Sequence, residues 1–363
     1  MDVIRQWFRR HFSDPQVVIL GIVLVALLAA VVLAGRMLAP ALAGLVIAYL
    51  LDSPAEWLRR HGTPHLIAVS LVFLGFIGLA LFGALTLMPL LINQLTQLVG
   101  LLPSMVGHVQ DLLLELPQRY PTLIDREQVI EMTAALRQEL LSLAQSAVVF
   151  SWDRINNLFT VIVYVFLVPL VVWFLLKDKE EILRWLSRFL PSDHSLASRV
   201  WAEVNRKTGD YVRGKVYEIA IVGVATWVAF TWVGLNFAVL LAVLTGFSVL
   251  IPYLGVAAVA FPVTLVAFFQ FGPSGNMIAV LVAYGIIQAV DGNLLAPLLL
   301  SEVVQLHPIA IVLAILIFGG IWGFWGLFFS IPLATVADAV LRSWPVTEPP
   351  EAPQPAAVSG DSE

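Results

Sequence analysis

The chain contains no cysteine, and only 12% of its 363 residues are charged. The missing thiol excludes disulfides, thiolate metal sites and cysteine nucleophiles. The shortage of charge excludes more, because soluble domains carry roughly 25% charged residues. Here 60% of the residues are hydrophobic and the mean hydropathy is +0.90. No single soluble core could hide so many apolar side chains, and several runs reach the ~20 residues that a spanning helix needs. The composition therefore predicts an all-α polytopic membrane protein.

A second absence is local. From Val216 to Leu341 there is neither lysine nor arginine, so the rule that basic loops stay inside gives no guidance there. Glycine and proline punctuate this stretch instead, at Gly234–Asn236, "IPYLG" (Pro252, Gly255), Pro262, "FGPSGN", Pro297, "LHP" (Pro308), "FGGIWGFWG" and "IPLA" (Pro332). Such breaks are tolerated at membrane depth only where protein or a water-filled cavity satisfies the freed backbone groups. The pattern predicts discontinuous or re-entrant helices around a cavity, as in transporters. Pro252, Gly255, Pro297, Pro308 and Pro332 are the candidate break points.

The N-terminal half is easier to divide. Residues 1–92 hold a basic start (Arg5, Arg9, Arg10) and three expected spans. The block Val17–Leu51 reads as a hairpin of two spans, because that arrangement puts Arg59 and Arg60 on the same, cytoplasmic side as the N-terminus. Its length also exceeds the apolar core of a cleaved signal peptide. Residues 93–154 carry seven acidic residues against four arginines, with Pro103, Pro117 and Pro121 dividing amphipathic stretches, which predicts a small external helical insert. A fourth span covers 155–176. Residues 177–215 contain nine lysines and arginines and an apolar stripe (Leu196, Val200, Val204) beside Trp201. That region reads either as lying on the inner membrane surface or as docked on the protein's own cytoplasmic face. Residues 216–342 form the broken-helix core, bringing the total to about eight spans, and 343–363 is a Pro-rich tail with a disordered composition.

Within the core, "DGNLLAPLLLSEVVQLHP" (291–308) concentrates polar groups in an apolar setting. A charged residue at bilayer depth costs on the order of 2.5–3.5 kcal/mol, so it usually faces a cavity and serves a pathway. Asp291 is accordingly the first candidate for coupling or solute binding, with Gln288 and Asn293 within two turns. The competing reading is a solvated helix end. Glu302 and His307 flank the next break and are weaker candidates, since loops are commonly polar.

Catalytic signatures are absent or poorly placed. There is no HExxH and no phosphate-binding GxxxxGK[ST] loop. "GPSG" (272–275) matches a GxSG pattern formally, but its Phe-Gly-Pro-Ser-Gly-Asn context reads as a turn. No enzyme activity, cofactor, metal or nucleic-acid partner is expected. The expected partners are a lipid bilayer, a small solute or cation, and further copies of the chain. A passive pore, or a scaffold binding partners through 93–154 and 178–212, is the alternative to a transporter.

Five blocks carry a family resemblance: "PLVVWFLLKDKEEILRWLSRFLP", "YVRGKVYEIAIVGVATWVAF", "VGLNFAVLLAVLTGFSVLIPYLG", "VDGNLLAPLLLSEVVQLHP" and "IFGGIWGFWGLFFSIPLA". In this order they resemble the autoinducer-2 exporter family of bacterial permeases, in its PerM-like branch. The resemblance covers nearly the whole chain except the tail. It implies a Gram-negative inner-membrane protein of about eight spans that exports a small signal molecule or exchanges cations for protons. It implies no role for any particular residue.

Overall fold

The computed structural model describes residues 15–114, 158–188, 195–252, 254–300 and 307–343, together with positions 134 and 138. Among these residues every regular element is helical. The helices are α1 (Pro15–Arg60), α2 (His65–Leu114), α3 (Leu158–Lys177), α4 (Lys179–Ser187), α5 (Ser195–Val233), α6 (Ala238–Ser248), α7 (Leu254–Phe271), α8 (Gly275–Val290), a π-helical turn (Asp291–Leu295), α9 (Ala296–Leu300), α10 (Pro308–Trp322) and α11 (Phe324–Ser343). Five of the described helical stretches are long and apolar enough to cross a membrane: Met37–Arg60, His65–Met105, Trp201–Val233, Leu254–Phe271 and Gly275–Leu300. Large apolar side chains such as Leu71, Leu74, Phe82 and Leu85 on α2 and Trp232 on α5 lie exposed on the outside. Water would penalise such a surface and acyl chains would not.

Two of the apolar clusters of the interior frame the bundle. In the first, α1, α2 and α3 close around Ala48, Ala55, Val69, Val172 and Leu176. In the second, Phe230 of α5, Leu241 of α6, Val263 and Val266 of α7 and Val280 of α8 form an apolar core. Helix α5 joins the two, because it packs against α1, α6, α8, α9 and α11. Small residues let it approach closely. A Cβ at Gly214 would lie 2.8 Å from Leu299 O, and one at Gly246 would lie 2.8 Å from Ile219 O.

Most of the breaks foreseen in the C-terminal half are real, although Pro262 lies inside α7, and side chains satisfy several of them. Helix α6 has 11 residues, about 16 Å at 1.5 Å per residue, against a hydrocarbon core of about 30 Å. It therefore cannot cross alone. At its start Phe237 is left-handed (φ 58). Gln94 Oε1 accepts from Leu240 N (2.8 Å), while Gln270 accepts from Asn236 N and donates to Gly234 O (both 2.7 Å). Two glutamines from α2 and α7 thus take over backbone groups that lipid could not satisfy. Pro252 lies in the break between α6 and α7, and Gly255 follows where a Cβ would overlap Ser248 O. Pro308 opens α10. The α10–α11 reversal falls at Gly323 (φ 58). The "GPSG" stretch is a turn leading into α8, with Ser274 at its N-cap.

Three expectations need correction. Val17–Leu51 does not fold as a hairpin, because α1 runs unbroken from Pro15 to Arg60 with Pro40 inside it. No turn chemistry accompanies Arg36 and Pro40, and one proline removes only one hydrogen bond of the ladder. The shared side for the two arginine clusters therefore loses its basis. Pro103 does not divide the 93–154 insert, since α2 continues through it to Leu114; Pro117, Pro121 and most of 115–157 lie outside the described residues. Pro332 does not break α11. The carbonyl that Pro332 leaves unbonded is that of Phe328, four residues earlier, and Tyr211 Oη donates to it at 3.3 Å.

Within 177–215, described residues contact the protein's own helix α1. Lys179 Nζ lies 2.9 Å from Asp52 Oδ2, Tyr49 Oη donates to Asn205 Oδ1 (2.8 Å), and Arg213 donates to Ser53 Oγ (3.2 Å). These contacts put the ends of α1 and α3 and the start of α5 at one face, with Trp201 half exposed beside them.

Candidate functional site

A cavity of about 670 Å³ lies where α5, the α6–α7 break, the α8–π–α9 segment, α10 and α11 meet. Most of its wall is apolar, including Val249, Ile251, Val256, Leu300, Ile311 and Ile331. Four polar side chains enter it: Lys215, Glu218, Gln288 and Asp291.

Helix α5 supplies the first two. Residues three apart share a helix face, and Lys215 Nζ lies 2.8 Å from Glu218 Oε2. Both are deeply buried, at 3% and 2% exposure. The ammonium also donates to Val249 O at 2.9 Å, just past the end of α6. Glu218 Oε2 sits near the ammonium but off the line of a hydrogen bond, and it has no other partner among the described residues.

The other two come from the α8–π–α9 segment. Ala296 N bonds to Asp291 O, five residues back, which defines the π turn. In a continuous α-helix, residues four apart drift by about 40° per step. The wider π turn offsets that drift and keeps Gln288, Gly292, Ala296 and Leu300 facing one cavity. Asp291, 6% exposed, heads the turn. Its carboxyl faces Glu218 at hydrogen-bonding range and lies within electrostatic reach of Lys215. Asp291 Oδ1 and both amide atoms of Gln288 are buried without a partner among the described residues. Unpaired polar groups at such depth cost about 1–3 kcal/mol each, and here they gather around one cavity.

The sequence candidates divide accordingly. Asp291 and Gln288 reach the cavity. Asn293 does not line it; its Nδ2 donates to Ala289 O (2.8 Å) on the exposed side of the π turn. His307 is exposed and caps α10, its Nδ1 accepting from Ile309 N (3.3 Å). Glu302 lies outside the described residues. Pro252 and Pro297 line the cavity, and Pro297 sits inside α9, just past the π turn that makes the actual irregularity.

Lys215 and Glu218 were missed as site residues. They close a basic, surface-like segment and so read as interfacial. The available signal was their spacing, Lys-x-x-Glu running directly into "IAIVGVATWVAF", which buries a carboxylate at the start of an apolar run.

Comparisons with known proteins agree on one family. The model of the AI-2E family transporter matches residues 21–346. "Putative permease PerM" of Escherichia coli strain K12 is 45% identical over 95% of this chain and 98% of its own length. "Putative transport protein YueF" and "Putative transport protein YrrI" of Bacillus subtilis are 25% and 27% identical, covering 81% and 83% of this chain and 80% and 85% of their own. With its apolar helices and bacterial relatives the chain is a multi-pass bacterial membrane protein, and a match over nearly its whole length means that it belongs to the AI-2E transporter family.

Proposed function

We propose that the chain is a secondary transporter that exports a small polar solute, of the autoinducer-2 kind or a cation exchanged for protons, across a bacterial inner membrane. The solute passes through the cavity between α5, the α6–α7 break and the α8–π–α9 segment, and Asp291 is the coupling group. One observation carries this reading: a buried carboxyl with an unpaired oxygen opens on a cavity of about 670 Å³ beside a buried ion pair. A buried charge of this kind is costly unless it serves a pathway. The broken helices support the same reading, since half-helices around a central site are how secondary transporters line one.

The orientation follows from charge. Arg59, Arg60, Lys177, Lys179, Arg184 and Arg213 gather at one end of the bundle, and that end faces the cytoplasm. Solute then leaves toward the end where α2 projects past Met105.

The test uses purified protein in liposomes with an entrapped pH dye, imposed sodium or potassium gradients, and added autoinducer-2. Asp291→Asn abolishes coupled proton movement while the protein still inserts and melts cooperatively. Unchanged flux and unchanged pH dependence would remove Asp291 from the mechanism. Downhill conductance of the wild type, with no proton movement, would make the chain a pore instead.

A further inference from the structure

We propose that Glu218 and Asp291 share a single proton, with Lys215 supplying the only other positive charge of the cluster. This deepens the coupling reading above and rests on it. Lys215 contributes one positive charge and the two carboxyls two negative ones. With no proton the cluster is net negative, with one it is neutral, and with two it is net positive. In an apolar wall the neutral state is the one that burial favours.

Geometry places the proton between the carboxyls. Asp291 and Glu218 are both buried on the wall of one cavity and meet at hydrogen-bonding range, and two facing carboxylates repel unless one carries a proton and donates it to the other. The shared proton turns that repulsion into an O–H···O⁻ bond, and it arrives from water in the cavity. A proton held between two carboxyls in this way belongs to neither residue alone.

Few other groups compete. On α5, Tyr211 donates to Phe328 O, and Asp210 pairs with Arg213 at 2.6 Å. Helix α1 brings Tyr49 and Asp52, and Asp52 is held by Lys179. Tyr284 of α8 donates to Val256 O, the sequences of α6, α7 and α9 contain no titratable residue, α10 has only His307 at its cap, and α11 has Asp338 and Arg342 toward its far end. Because Lys215 also holds Val249 O, a change in the charge of the pair is felt at the α6–α7 break.

Infrared spectroscopy of the purified protein, titrated from acid to neutral pH, reads protonated carboxyls directly. After the exposed carboxyls have ionised, the wild type keeps one carboxyl C=O band and loses it only as pH rises further. E218Q and D291N each lack that band, because the remaining carboxylate is balanced by Lys215. K215M shows about twice the amplitude, retained to higher pH, and K215R restores the wild-type titration. A wild type without the band, or a band that survives in either carboxamide variant, overturns the proposal. If K215M does not fold, the wild type and the two carboxamide variants decide alone. The spectra need no solute movement, so the shared proton and the transporter reading fail separately: a band with no flux of any solute refutes only the transporter, and flux without a shared band refutes only the proton pair.

Discussion

Lys215 Nζ lies 2.8 Å from Glu218 Oε2, one helical turn along α5, in a site where both side chains are almost wholly buried. The same ammonium reaches Val249 O. One side chain thus connects the helix that joins the two clusters, the end of a half-helix and the cavity.

The first prediction concerns this pair. Removing one partner of a buried ion pair strands the other charge, at a cost of about 3–5 kcal/mol. K215M alone therefore lowers the thermal unfolding midpoint sharply in detergent. The double variant K215M/E218M recovers most of that loss, since an apolar pair of similar volume is tolerated, yet it shows no coupled flux. Equal melting of single and double variants would mean that the pair is not energetically linked.

The second concerns Tyr211 and Phe328. Their hydrogen bond supplies the donor that Pro332 removes from α11. Tyr211→Phe keeps the ring but leaves Phe328 O unpaired, and a net hydrogen bond is worth about 1 kcal/mol. A reduced melting temperature of that scale is expected, and restoration of wild-type stability by adding Pro332→Ala would identify the missing backbone donor as the cause. A double variant no more stable than Tyr211→Phe would reject it.

The third tests close approach. A Cβ at Gly214 meets Leu299 O and the Leu300 side chain, both at 2.8 Å. Gly214→Val pushes α9 off α5, costs about 1–3 kcal/mol as overpacking, and widens the cavity wall next to Asp291. Flux falls even at temperatures where the variant remains folded. Wild-type flux and stability in Gly214→Val would show that the seam is loose.

The fourth tests orientation, for which a chain without cysteine is convenient. Ser198 is exposed at the basic end of the bundle, and Ser104 is exposed at the far end of the α2 span. In intact cells a membrane-impermeant thiol reagent labels Ser104→Cys, whereas Ser198→Cys is labelled only after permeabilisation. The opposite pattern would invert the proposed direction of the molecule.

The class of fold was legible in the sequence because it depends on quantities that sum along the chain. Hydropathy, scarcity of charge and run length decide the solvent, and in lipid a helix is the structure that satisfies its own backbone. The positions of most breaks were legible too, since Gly323, Pro252 and Pro308 act through local backbone geometry. Asp291 stood out for the same local reason, a carboxylate inside an apolar run.

What only the tertiary structure decided depends on partners distant in sequence. Pro332 looks like a break until Tyr211, 117 residues before Phe328 along the chain, covers the freed carbonyl. Val17–Leu51 looks like a hairpin because positive charges favour one, but the helix runs on through Arg36 and Pro40, since one proline removes a single hydrogen bond from the ladder. Glu218 and Lys215 look like the edge of a basic surface until α8 brings Asp291 against them. Periodicity along one helix states which residues share a face. It does not state which other helix that face will meet, and here that meeting makes two carboxyls and one ammonium into a single site.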